Sequence, residues 1–262
     1  MKWFVSFYLI PFLIWKLIIP LYFMQRKHPM LKLYTIPGTA NCRSLSLFAY
    51  KAEALLALSG ADYTIEYIAD FSKMPRGKVP VLQDGEALIA DSELIKAHLE
   101  RHFSLDIDRT LSAEQQAVGR AFRVMLEERS YWANVYSRFI DPAGNDFLRK
   151  QMLGGVPEEM KDGIVAAMRD NVRAQMHGHG IGRHTPAQIY AFAQADIDAV
   201  LAYMGDKPFF FGSEPTSIDA TLAGLFANWL VSDFDWPLRD YLHTRPQIAD
   251  YVQRFERVVF GQ

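Results

Sequence analysis

The residues best placed to do chemistry lie in GKVPVLQDGEALIADSELI, Gly77 to Ile95, where a proline stands between two valines and Asp91-Ser92 open a helical pattern. Proline has no N–H to give a β ladder, so Pro80 belongs at a strand start, an edge or a bulge. Asp91 and Ser92 are residue types that cap a helix, and the start of a helix also offers free N–H groups to an anion. Elsewhere, HGHGIGRH brings together His177, His179 and His184. No carboxylate or cysteine accompanies them, so a glycine-rich linker is the expectation and no metal site is assigned. The G-x-G-x-G in that segment follows a helix instead of a strand, which is the wrong setting for a dinucleotide fingerprint. Glu127 and Glu128 are adjacent, so on a helix they face different ways and make a poor acid/base pair. Cys42 is the single cysteine, which excludes an internal disulfide and any C-x-x-C motif.

The elements that must hold these residues are legible from pattern. LKLYTIP (Leu31 to Pro37) reads as a strand, and LSLFAYKAEALLALSG as a helix that stops at Gly60. ADYTIEYI is a second strand and FSKMPRG a loop. KVPVLQ and EALIA flank Asp84-Gly85, a strong hairpin signal, and DSELIKAHLERHF is a helix. From about residue 110 no strand pattern remains. Residues 112 to 140 form one long amphipathic helix ending near Asp141-Pro142, and Val156 to Met176 form another that the glycine-rich segment breaks. Thr185-Pro186 restarts a helix with a cap and an N1 proline. Thr216 and Asp219 have capping-box spacing, and RPQIADYVQRFERVVF is the last helix. The expected organisation is an α/β unit over residues 30–104 and an all-helical unit over residues 110–262.

Composition narrows the function classes. Half of the 262 residues are hydrophobic and the formal net charge is −2, with 28 Lys+Arg against 30 Asp+Glu, so nucleic-acid binding by charge is excluded. Residues 1–29 form a hydrophobic segment with an apolar run, Trp3 to Met24, whose only charge is Lys16. As a helix it would extend about 33 Å, enough to cross a bilayer. A membrane-spanning anchor is expected, with an interfacial helix or a signal sequence as alternatives. Arg26, Lys27, His28 and Lys32 follow the run, which places the globular part in the cytoplasm.

The chain resembles the glutathione S-transferase superfamily over nearly everything after residue 30. Val79-Pro80 before a hairpin, Ala90-Asp91-Ser92 opening a helix, the Thr216 to Asp219 box and RPQIADYVQRF carry the resemblance. MLEERSYWANVYSRF, GHGIGRHTPAQI and FFFGSEPTSIDATLAGLFANWL are most similar to the metaxin and failed-axon-connections branch. The resemblance implies a thioredoxin-like α/β N-terminal domain, an all-α C-terminal domain and a cis-proline at Pro80. It also implies glutathione as ligand, held by Val79, Pro80, Asp91 and Ser92, with Asp91 pairing the ammonium and the helix start taking the carboxylate. The branch signature S-P-F-C-L-K-x-E aligns with Ser46-Leu47-Phe48-Ala49-Tyr50-Lys51-Ala52-Glu53, so Ser46 falls at the catalytic position while Leu47 and Ala49 replace the proline and the cysteine. Ser46 either steadies the glutathione thiolate or is an ordinary helix N-terminal serine. Cys42, if exposed, offers an alternative thiol for a mixed disulfide. Tyr131, Trp132 and Tyr136 would face an apolar acceptor pocket, and the family implies a homodimer. Two readings follow: a membrane-tethered transferase conjugating glutathione to a small apolar electrophile, or a non-catalytic relative used in membrane-associated protein interaction or scaffolding.

Overall fold

A computed structural model describes residues 30–103 and 106–261. The expected hydrophobic helix over Trp3 to Met24 lies outside the described residues; among these, no helix is long and apolar enough to cross a membrane. The first half of the fold is a four-stranded sheet in the order β2-β1-β3-β4, with β1 Leu31–Thr35, β2 Tyr63–Tyr67, β3 Val81–Asp84 and β4 Ala87–Ala90. β1 pairs parallel with β2, and the crossover between them is helix α1, Leu47–Ser59. β1 and β3 are antiparallel, as are β3 and β4 across the Asp84-Gly85 turn. Helix α2, Ser92–Phe103, follows β4. This is a thioredoxin-like sheet with helices.

Local chemistry accounts for the element ends. Leu31, Leu33 and Thr35 face inward on β1 while Lys32 and Tyr34 alternate outward, the period of a half-buried strand. Ser46 caps α1 by accepting a hydrogen bond from the Ala49 N–H at 3.3 Å. Gly60 ends that helix in the left-handed region at φ 67°, which a side chain would disfavour. The expected strand KVPVLQ is shorter than its pattern: it begins at Val81, because Pro80 has no N–H to contribute to the ladder. The Val79–Pro80 peptide is cis.

The second half is helical. α3, Ala113–Met125, opens on a Ser112–Gln115 capping box. It continues to Ile140, as expected, but through two π turns, Leu126–Ser130 and Tyr136–Ile140, separated by Tyr131–Val135. Helices α4 (Glu158–His179), α5 (Pro186–Met204), α6 (Ser217–Leu230), α7 (Pro237–His243) and α8 (Pro246–Phe260) follow. α4 carries His177 and His179 within the helix and stops only at Gly180, at φ 101°, so the expected linker begins inside the last turn of the helix. The Thr216–Asp219 box is built: the Asp219 carboxylate accepts from the Thr216 N–H and hydroxyl, the Phe210 N–H and the Tyr251 hydroxyl.

One hydrophobic core joins the two halves. It runs from Leu33 and Leu55 of the sheet layer to Phe226 and Phe255 of the helical layer. α1 lies against α6, and Gly224 permits the approach, since a Cβ there would stand 2.8 Å from the Leu47 carbonyl oxygen and 3.2 Å from the Tyr50 ring. Tyr50 and Lys51, both without exposed surface, are sealed beneath that contact.

Candidate functional site

Strand register gathers the candidate residues at one end of the sheet. Tyr34 is opposite Val81 and Val81 is opposite Ala90, so the loop before Pro80, the turn after Ala90 and the C-terminal end of β1 meet there. A cavity of about 740 Å³ opens at this end, lined by Val79, Pro80, Asp91 and Ser92. The structure therefore brings all four of those residues together. Phe48 of α1 and Glu127 and Glu128 of the first π turn border the same cavity.

Asp91 holds φ at 99°, a region that side chains avoid, and its carboxylate accepts the Glu93 N–H at 2.8 Å. It thus caps α2 and lies exposed at the cavity edge. Ser92 is buried, and no described residue takes its hydroxyl proton. The backbone N–H and C=O of Val79, a residue of the cavity lining, likewise bond to no described residue. Arg76 and Lys78, exposed on the loop before Pro80, give that wall a positive charge.

Beneath the opposite wall lies a group of charges that motif reading missed. Lys51 Nζ stands 2.6 Å from Glu93 Oε1 and 2.6 Å from Glu127 Oε1. Arg123 closes the ring, 2.8 Å from Glu127 Oε2 and 3.2 Å from Glu93 Oε2, and the Thr221 hydroxyl donates to Glu127 at 3.1 Å. Glu127 is buried and Glu128 exposed, so the two do face differently, yet both reach the cavity. A signal for the ring was present: Lys51 and Glu53 interrupt an otherwise apolar helical run, and buried charges need partners.

The other candidates are placed less directly. Ser46 does not line the cavity; its hydroxyl accepts the Ala49 N–H, and its own proton has no acceptor among the described residues. The Tyr131 ring stands edge-on to Phe48 at 5.1 Å, and Trp132 lies 5.5 Å from Tyr131 and 4.9 Å from the His179 ring. That aromatic row leads from the cavity into the helical half. Tyr136 is not part of it; it packs edge-on against Tyr190 at 5.7 Å. The condition attached to Cys42 fails, because the thiol is 3% exposed, donates to the Ser44 carbonyl at 3.1 Å and is pushed up to about 11 by burial. At neutral pH it stays protonated, the form that does not attack a disulfide. Among the described residues no three His, Cys, Asp or Glu side chains gather where a metal ion could sit. His184 packs against Phe192 instead.

Comparison with known proteins gives these positions a family setting. The model for the glutathione S-transferase N-terminal domain matches residues 47–144, and the model for the glutathione S-transferase C-terminal domain matches residues 193–255. The isoprene-epoxide–glutathione S-transferase of Rhodococcus sp. (strain AD45) is 28% identical over 235 residues, 87% of this chain and 98% of that protein. Failed axon connections of Drosophila melanogaster is 27% identical over 248 residues, 87% of this chain and 57% of that protein. A Ceriporiopsis subvermispora glutathione S-transferase, CsGST83044, solved in complex with glutathione, superposes with a TM-score of 0.57 at 15% identity over 90% of this chain and all of that one, a likeness of fold. Two family models in tandem, on a thioredoxin-like sheet followed by a helical half, show that the chain belongs to the glutathione S-transferase superfamily.

Proposed function

We propose that the chain is a glutathione transferase acting on small apolar electrophiles. The observation that carries the reading is the meeting, in one cavity, of unpaired Val79 backbone groups, the Ser92 hydroxyl at the start of α2, the Asp91 carboxylate and the Arg76 and Lys78 cations. Glutathione is a peptide with a zwitterionic γ-glutamyl end and a second carboxylate at its glycyl end. The α2 N-terminus and Ser92 suit the first carboxylate, Asp91 the ammonium, the Val79 backbone the cysteinyl amide, and Arg76 and Lys78 the glycyl carboxylate. Pro80 shapes the loop that presents Val79.

Ser46 can serve the thiolate while capping α1, because accepting the Ala49 N–H leaves its own O–H free to donate. The sulfur electron pair then forms a bond to an electrophilic carbon. Where the electrophile is an epoxide, the class in the name of the Rhodococcus relative, the ring C–O bond breaks and the alkoxide takes a proton from water. Phe48, with Tyr131 and Trp132 behind it, gives the apolar part of such a molecule a surface to pack on.

Calorimetric titration of the purified protein with glutathione tests the first step. Millimolar or tighter binding is expected, and no binding at that level rejects the transferase. Given binding, Ser46→Ala should slow conjugation of a small epoxide while leaving glutathione affinity nearly unchanged.

A second reading, a non-catalytic relative engaged in membrane-associated scaffolding, draws on Leu47 and Ala49 in the signature, on Ser46 lying off the cavity lining, and on the likeness to Failed axon connections. It predicts glutathione binding without turnover of any electrophile, or no binding. On either reading residues 3–24 would anchor the chain with the globular part in the cytoplasm. Release of the full chain from membranes by alkaline carbonate would sink the spanning anchor, and a monomer in analytical ultracentrifugation would sink the implied homodimer.

A further inference from the structure

Arg138, in the second π turn, is 3% exposed and has no carboxylate partner among the described residues. All of its donors go to neutral acceptors. Nε and Nη2 reach the Ser232 hydroxyl at 3.4 and 3.3 Å, and Nη2 also donates to the Asn228 carbonyl at 2.6 Å. Nη1 donates to Asn228 Oδ1 at 3.1 Å and to the Leu45 carbonyl at 2.9 Å. The Phe147 ring covers the guanidinium at 4.9 Å. Burial pushes this group down to about 10, so it remains charged at neutral pH.

A buried charge without a counter-ion is costly. If the task were only to tie the β1–α1 loop to the helical half, a neutral donor would do it, and one already does: the Asn228 side-chain amide donates to the Ser44 carbonyl at 3.1 Å. The positive charge is surplus to that tie. It lies behind the Leu45 carbonyl, one residue before the Ser46 cap, where the open N–H groups of α1 already favour an anion. Its influence extends both ways from there. Cys42, on the loop, and Tyr131, about two turns earlier on the same long helix, are raised by burial and pulled back down by Arg138. Tyr131 is the ring that meets Phe48 at the cavity. α6 faces the guanidinium with neutral Asn228, and Ser232 just beyond its end is neutral too.

We propose that Arg138 is a positioning residue that fixes the Leu45–Ser46 turn and keeps an unneutralised positive charge behind it, so that the thiol of bound glutathione ionises more readily. The proposal rests on the transferase reading. In the step concerned the S–H bond breaks, the proton passes to water and the electron pair stays on sulfur, while Arg138 keeps its protons throughout. The missing counter-ion at Arg138 is then the glutathione thiolate itself, held at a distance by the Leu45–Ser46 turn.

The test is a pH titration of the thiolate ultraviolet absorbance of glutathione bound to the full-length protein. In the unaltered protein the bound thiol should titrate well below its free value. In Arg138→Gln the midpoint should rise by about one pH unit. Conjugation on the acid limb should fall about threefold to tenfold, because a more basic thiolate is also a better nucleophile. Glutathione affinity should stay within about twofold. Ser232→Asp, which leaves Arg138 in place and sets a carboxylate against its Nε and Nη2, should raise the midpoint in the same direction and decides the matter if Arg138→Gln does not fold. An Arg138→Gln protein that binds glutathione and titrates at the unaltered midpoint overturns the proposal. So does a bound thiol in the unaltered protein that titrates at its free value, whichever variants fold. Failure of the unaltered protein to bind glutathione removes the transferase reading and this proposal with it, whereas binding with an unshifted thiol removes the proposal alone.

Discussion

Lys51 Nζ, wholly withdrawn from solvent on α1, lies 2.6 Å from Glu127 Oε1 on the long helix, and the pair pins the sheet half of the fold to the helical half beside the cavity. Lys51 also holds Glu93, and Arg123 bridges both carboxylates from the other side, so two cations and two carboxylates close a ring. Buried charges of this kind contribute little net stability as a set but become costly when one is removed.

Lys51→Met should therefore destabilise the protein by about 3–5 kcal/mol, since it leaves Glu93 and Glu127 sharing Arg123 alone. The double variant Lys51→Met/Glu127→Leu should be markedly more stable than the sum of the two single changes implies. Urea unfolding of the four proteins measures the coupling. Additive costs within about 0.5 kcal/mol would mean that the two groups are not coupled as their distance indicates.

Asp91 combines a disfavoured backbone, φ 99°, with an exposed carboxylate at the cavity. Such a backbone costs on the order of 1–3 kcal/mol in a residue with a side chain, and glycine costs only a few tenths as a helix cap. Asp91→Gly should raise unfolding stability by about 1 kcal/mol while weakening glutathione binding roughly tenfold or more. Asp91→Asn should lose the affinity without gaining the stability. Equal glutathione affinity in the two variants and the unaltered protein would show that the carboxylate does not meet the ligand.

How far the sequence reached depends on what kind of signal each residue leaves. Pro80, Asp91 and Thr216 sit at element ends, where composition and short-range geometry decide the structure, and the strands, hairpin and caps around them were legible. The π turns were not, because a helix that widens by one residue keeps nearly the same apolar period; they place Glu127 and Glu128 on the cavity border and Arg138 behind Leu45. The Lys51–Glu93–Arg123–Glu127 ring spans 77 residues of sequence and forms only once α1, α2 and the long helix have packed, although charged residues in the apolar run of α1 announced that partners must exist. The surroundings of Cys42 were hidden for the same reason, since Asn228 and Ser44 bury it from both sides.

The Cys42 thiol is raised from 9.0 to about 11 by burial, against the pull of Arg138. The folded state binds this proton more tightly than the unfolded state does. The resulting stability is complete below about pH 9 and is lost as pH climbs toward 11, a contribution of about 2–3 kcal/mol at most. Cys42→Ala should be less stable at pH 7, through lost packing, but its stability should fall less between pH 9 and 11, so the two curves converge. Parallel curves across that window would mean that the thiol does not control the alkaline loss.

Phe48 joins the cavity to the aromatic row, since its ring is part of the lining and meets Tyr131 at 5.1 Å. If an apolar electrophile packs there, shortening Phe48 removes contact area from that molecule and from no charged part of glutathione. Phe48→Ala should therefore raise the KM for a small epoxide about threefold to tenfold, a loss of roughly 1 kcal/mol of apolar contact, with the KM for glutathione changed less than about twofold. Tyr131→Phe keeps the ring and drops only the hydroxyl, so it should leave both values near those of the unaltered protein, whereas Tyr131→Ala should follow Phe48→Ala because Phe48 loses its backing. A longer electrophile should feel Trp132→Ala as well, and Tyr136→Ala, whose ring packs on Tyr190 away from this row, should affect folding stability before it affects any KM. A rise in the glutathione KM that equals the rise for the epoxide would place Phe48 in the peptide's subsite and leave the acceptor without a surface on this side of the cavity.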